Sequence, residues 1–255
     1  DRYGPGGWRG LRVPHIQVHR FATKELADEI NRIWHRGVEN PDVREVLVSL
    51  IEAGGIEACA DIAFDAAQDS AAPVIERIAA IDALVALDDK RLTQIATSIA
   101  DAEKTWNEGE ARGAVLRLFP KYMSVESLCR TLQWMKQETR SVGDLSWQLP
   151  SIVAESPLDL PALERLRDGL VSLVSEGLKW RAEWPHITSD RPFLCGVLAA
   201  TCERGLDLNQ DDRWLHAGAL AVRVHHRDHG DDSPIKSLRE RLANLNANDN
   251  ARLFW

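Results

Sequence analysis

The chain has 255 residues, 44% of them hydrophobic, which suffices for one large core or two smaller ones and argues against a disordered chain. Its 39 acidic residues against 31 basic ones leave a net charge of -8, which repels phosphate backbones at long range and argues against nucleic acid as the main partner. No apolar run approaches the roughly 20 residues a membrane-crossing helix needs, and Asp1 to Gly7 lacks the apolar stretch of a signal peptide, so the sequence predicts a cytoplasmic protein with no membrane partner.

The first 22 residues carry Gly4, Pro5, Gly6, Gly7, Gly10 and Pro14 without a period, which predicts an irregular lead-in that packs Trp8, Leu11 and Val13 onto the first helix. Thr23 can cap a helix over Lys24 to His35, with Leu26, Ile30, Ile33 and Trp34 as its buried stripe. Asn40-Pro41 is a start signal: a capping side chain followed by Pro at a position that needs no amide hydrogen. Val43, Val46, Leu47, Leu50 and Ile51 then line one face, Gly54-Gly55 ends the helix, and a second helix over about 56–67 completes an antiparallel hairpin.

Pro73 opens the next hairpin, 32 residues after Pro41, with Val74, Ile78, Ile81, Leu84 and Val85 in the same spacing before Asp88-Asp89. Its second helix carries Leu92, Ile95 and Ile99. A third hairpin uses Val115, Leu118 and Phe119 before Pro120, then Ser124 as the cap for Val125, Leu128, Leu132 and Met135. Residues 23–137 are therefore expected to form a row of hairpins, each burying its inner face against its neighbours. Residues 138–158, with Gly143, Pro150 and Pro157, read as a connector ordered in part by Trp147. From 159 to 255 helices resume, starting near Pro161, Pro192, Asp211 and Pro234. The lack of an initiating Met and the apolar ending Leu253-Phe254-Trp255 mark the chain, on this reading, as a piece of something longer.

The stretch Asn40-Pro41-Asp42-Val43-Arg44-Glu45 resembles the start of a HEAT helix. The expected fold is accordingly all-α, a HEAT-like α-solenoid of stacked antiparallel helical hairpins. The chain also resembles, on several short blocks, the helical region that follows the nucleotide-binding module of large bacterial STAND (NACHT-type) ATPases. Those blocks are Gly7-Trp8-Arg9-Gly10-Leu11, Val43-Arg44-Glu45 with Leu50-Ile51-Glu52, Cys59-Ala60-Asp61-Ile62-Ala63, and Leu118-Phe119-Pro120 before Ser124-Val125. That resemblance implies a regulatory or sensing array whose ATP hydrolysis is done elsewhere in a parent chain. The sequence has no G-x-x-x-x-G-K-[ST], so the ATPase motif itself is absent from these 255 residues.

No catalytic motif and no cofactor signature stands out. Cys59, Cys129, Cys195 and Cys202 form no C-x-x-C pair and each falls in an apolar helical pattern, which predicts buried free thiols. The set His225, His226 and His229 with Asp228, Asp231 and Asp232 has zinc-compatible side chains, but it lies where a helix should end at Gly230. Histidine is favoured at the negative end of a helix dipole, so a metal-dependent hydrolase at this turn is the weaker reading. A HEAT-like nucleic-acid-binding or DNA-repair domain is a second alternative, opposed by the charge. Among the nine tryptophans, Trp180 and Trp184 stand with Arg181 and Arg191 in a polar stretch between helices. This composition is enriched at protein-binding hot spots, and the same rings could instead pin a loop to the helices. The expected role is non-catalytic: contact with a protein partner or with adjacent domains of the same polypeptide.

Overall fold

A computed structural model describes residues 18, 20–102, 105–135, 145–181, 186–209, 211–224 and 234–245, with the side chains of Arg181 and His186 left aside. Among them the chain is all-α apart from one short hairpin: twelve α-helices and two three-residue strands. The described residues fall into two compact units, one ending at Ser98 and resuming over 105–118, the other formed by Ile99–Ala102 and everything from Phe119 onward.

The first unit contains α1 (Ala27–His35), α2 (Pro41–Gly54), α3 (Ala60–Gln68), α4 (Val74–Ala86), most of α5 (Leu92–Ala100) and α6 (Glu108–Leu118). The helix boundaries follow local chemistry. Asn40 accepts a hydrogen bond from the Asp42 amide while Pro41 occupies the first turn. At the other end Gly55 turns left-handed (φ 56°) and the Ile56 amide reaches back to the Ile51 carbonyl. Asp88 makes the equivalent left-handed stop after α4, at φ 53°. Thr23, the expected cap of the first helix, makes no capping bond; a 3₁₀ turn over Lys24–Leu26 precedes α1.

Helix α4 is the packing centre, lying against α2, α3 and α6. Ala80, Ile81, Ala83 and Leu84 are fully buried on it, against Leu47, Val48 and Ile51 of α2 and Ile62, Ala63, Ala66 and Ala67 of α3 in the same core. Val43 and Val74, in the first turns of α2 and α4, stay partly exposed and do not join the buried stripes expected of them. Polar pairs set the register. Arg44 of α2 reaches Glu76 of α4 (2.6 Å), Arg77 of α4 reaches Glu110 of α6 (2.7 Å), and Asp82 of α4 accepts from Arg117 of α6. Since Arg77 meets Glu110 near both N-termini and Asp82 meets Arg117 further along both helices, α4 and α6 run parallel.

The second unit holds α7 (Val125–Trp134), α8 (Leu145–Glu155), α9 (Leu160–Ser175), β1 (Lys179–Arg181), β2 (His186–Thr188), α10 (Cys195–Leu208), α11 (Asp212–Val224) and α12 (Pro234–Ala243). Here α10 is central, packed by α8, α9, α11 and α12. Its sequence is suited to that position, because Cys195, Ala199, Ala200, Thr201, Cys202 and Gly205 are all buried and all small. The expected connector is corrected in its second half: 145–155 is a helix with Pro150 inside it. Pro150 cannot donate to the Ser146 carbonyl, and both groups pack beside Gly196 of α10. Trp147 does not order this segment by burial, being 73% exposed.

Gly205 sits directly beneath the Trp214 ring, so a methyl group there would overlap the indole. Trp214 is itself fully buried, with the Arg167 guanidinium over the ring at 4.3 Å. Gly205→Ala is expected to destabilise the protein by about 2 kcal/mol, the overlap outweighing the helix-propensity gain. Gly109→Ala, on the exposed first turn of α6, should instead stabilise by about 0.5 kcal/mol. Urea unfolding of the two variants checks both signs.

Candidate functional site

A cavity of about 410 Å³ opens in the first unit. It is lined by Trp34 of α1, Gly37, Val38 and Glu39 of the following loop, Arg44 of α2, Asp65 of α3, and Asp69 just past its end. Gly37, at φ 84°, turns the chain out of α1 so that Val38 and Glu39 reach the cavity before Asn40 starts α2. Ile30 is buried as the helical stripe requires, but Trp34 is only half-buried because its ring forms a cavity wall.

Arg44 is the organising side chain. Its guanidinium lies 4.8 Å from the Trp34 ring centre, its Nη2 donates to Asp69 (3.0 Å) and its Nε donates to Glu76 (2.6 Å). Such a stacked, doubly paired arginine is held in one geometry. Glu76 is 2% exposed, and one of its carboxylate oxygens, Oε2, has no hydrogen-bond partner among the described residues. Burial pushes the Glu76 carboxyl above the usual glutamate range, and Arg44 opposes that shift. Glu39 and Asp65 make no ion pair among the described residues, so acceptors outnumber donors around this cavity.

Two sites read from the sequence lie elsewhere. The stretch around Trp180 is an antiparallel hairpin, with Trp180 opposite Ile187 and Arg181 opposite His186. Its Trp180 ring is 63% exposed. Arg181 belongs to β1, its side chain lies outside the described residues, and so does Trp184. Arg191 is turned inward: it pairs with Glu176 (2.9 Å) and donates to the carbonyls of Leu132 and Met135 (2.6 and 2.5 Å) and of Gln133. It thus closes the C-terminal end of α7 and is not presented beside Trp180. His225, His226 and His229 fall outside the described residues, and among those described no cluster of three metal-ligating side chains occurs.

The four thiols are free, with Cys59, Cys195 and Cys202 buried. Burial pushes Cys195 and Cys202 up to about 12 and Cys129 up to about 11, so all three are protonated at neutral pH. Cys59 is also raised by burial. Among the described residues no helix is long and apolar enough to cross a membrane.

The Glu76 shift has a definite sign. In the window that starts at the ordinary value of 4.5 and extends above it, the folded protein keeps a proton that the unfolded chain has lost. The contribution of Glu76 to stability is therefore greatest below this window and declines as pH rises through it. Glu76→Gln, which does not titrate, should gain stability relative to the parent as pH is raised from 4.5 towards neutrality. Denaturant midpoints of both proteins across that range measure the difference; a flat difference, or one of opposite slope, contradicts the assignment. Compared with protein-family models, with curated proteins and with solved structures, the chain matches none.

Proposed function

We propose that this chain is a HEAT-like helical-repeat segment that binds a protein partner or an adjacent domain of its own polypeptide, within a bacterial STAND-type ATPase. The observation that carries the reading is the recurring register of ion pairs in the first unit. Arg44–Glu76, Arg77–Glu110 and Asp82–Arg117 join residues 32, 33 and 35 apart. Equivalent helices of successive repeats stand in that relation, side by side and parallel, at one repeat length. Repeat arrays of this kind offer extended surfaces for macromolecular contact, and the half-free indole of Trp180 is the type of side chain that anchors such contacts.

The test is capture of the native protein from its source with an antibody against this segment, followed by mass measurement and peptide mapping. A species larger than 255 residues can account for, with a Walker A peptide upstream, is expected. A native product of 255 residues removes the STAND setting. Trp180→Ala, with an unchanged unfolding midpoint, should weaken retention of the co-captured partner by about tenfold or more; undiminished retention removes the hairpin from the interface.

A further inference from the structure

We propose that the Trp34 cavity is a binding site for an organic cation, an ammonium or guanidinium group carried on a short aliphatic stem. The inference goes beyond the reading above and needs neither the repeat nor the ATPase setting. Three observations point the same way. The cavity is about 410 Å³, room for one long side chain or small amine. Its wall includes the Trp34 indole, which already holds one cation, the Arg44 guanidinium 4.8 Å from the ring centre. Three carboxylates, those of Glu39, Asp65 and Asp69, meet a single guanidinium there, leaving the wall negative.

The chemistry selects among ligand classes. An anion meets net repulsion from the wall. An apolar guest would strip water from carboxylates without replacing their hydrogen bonds. A metal ion gains nothing specific from the indole, and no three-ligand cluster is present among the described residues. A guanidinium or ammonium group supplies both charge and donors, and Glu39 and Asp65 offer it acceptors that Arg44 does not use. The same chemistry could arrive as a lysine or arginine side chain of a protein segment or as a free diamine.

The experiment titrates the full chain, carrying ¹⁵N-labelled tryptophan, with acetyl-arginine amide, acetyl-lysine amide and butane-1,4-diamine, using acetyl-glutamine amide as the neutral control. The Trp34 indole resonance is assigned as the one lost in Trp34→Phe. The charged probes should shift that resonance saturably, added salt should weaken them, and the neutral probe should leave it in place. Glu39→Gln combined with Asp65→Asn, both at exposed positions, should weaken binding about fivefold or more with an unchanged unfolding midpoint. Tighter binding of the amino-acid amides identifies a side chain as the source, and tighter binding of the diamine identifies a free amine. The proposal is overturned if no charged probe gives a saturable shift, if the neutral probe matches them, or if the double variant binds equally well.

Discussion

The buried guanidinium of Arg77 is the constraint on which the first unit depends. A charge taken fully out of water is tolerated only where its hydrogen bonds and counter-charge are supplied inside. Arg77, 0% exposed, receives a counter-charge and hydrogen bonds to Nε and Nη1 from separate pieces of chain: the Glu110 carboxylate of α6, the Ala67 carbonyl at the end of α3, and the Thr105 carbonyl ahead of α6; its Nη2 has no hydrogen-bond partner among the described residues. The Trp106 indole lies 3.8 Å from the guanidinium and donates in turn to Ser98 of α5. No sliding of α4 along its neighbours keeps these partners together. Glu110 also closes the start of α6, accepting from the Asn107 amide while the Asn107 side chain accepts from the Glu110 amide. One carboxylate thus caps a helix and fixes its position against the next.

The second unit uses arginine in a related way. The last carbonyls of a helix have no partner within it, and they carry the negative end of its dipole. Arg204 of α10 covers the end of α8, donating to Val153, Ser156 and Leu158, and Arg191 does the same for α7. Arg167 and Trp214 stack in the interior, above the space that Gly205 leaves. Small residues let α10 be surrounded closely, while long cationic ones tie off the ends of α7 and α8.

Much of the helical content was legible in the sequence, because it rests on local rules. Asn40-Pro41, Gly54-Gly55 and Ser124 mark ends that the structure keeps. The helix over 145–155 was hidden by Pro150, since a proline reads locally as a helix breaker and no local rule reveals that this segment packs along α10. The β-hairpin was hidden because three-residue strands carry too little pattern to separate from loop. Arg191 looked like a surface residue among aromatics, and only the tertiary fold discloses that the α7 carbonyls lie within its reach. The cavity was missed for a similar reason: a tryptophan on an apolar stripe reads as core, whereas Trp34 is held half-open by Arg44 stacking on it. Asn107-x-x-Glu110 did carry a readable signal, the spacing of a capping box, and the charge pairs 32 to 35 residues apart echo the recurrence of Pro41 and Pro73.

The most direct measurement is the coupling free energy between Arg77 and Glu110 from a double-mutant cycle with Arg77→Met, Glu110→Gln and the double variant, read by denaturant unfolding. If the buried pair fixes the register of α4 and α6, either single change leaves a buried polar group unmatched and the double change relieves it, giving a coupling of about 2 kcal/mol or more. Effects that add to within about 0.5 kcal/mol would show the two residues acting independently, and would contradict the account in which this pair holds the helices in place.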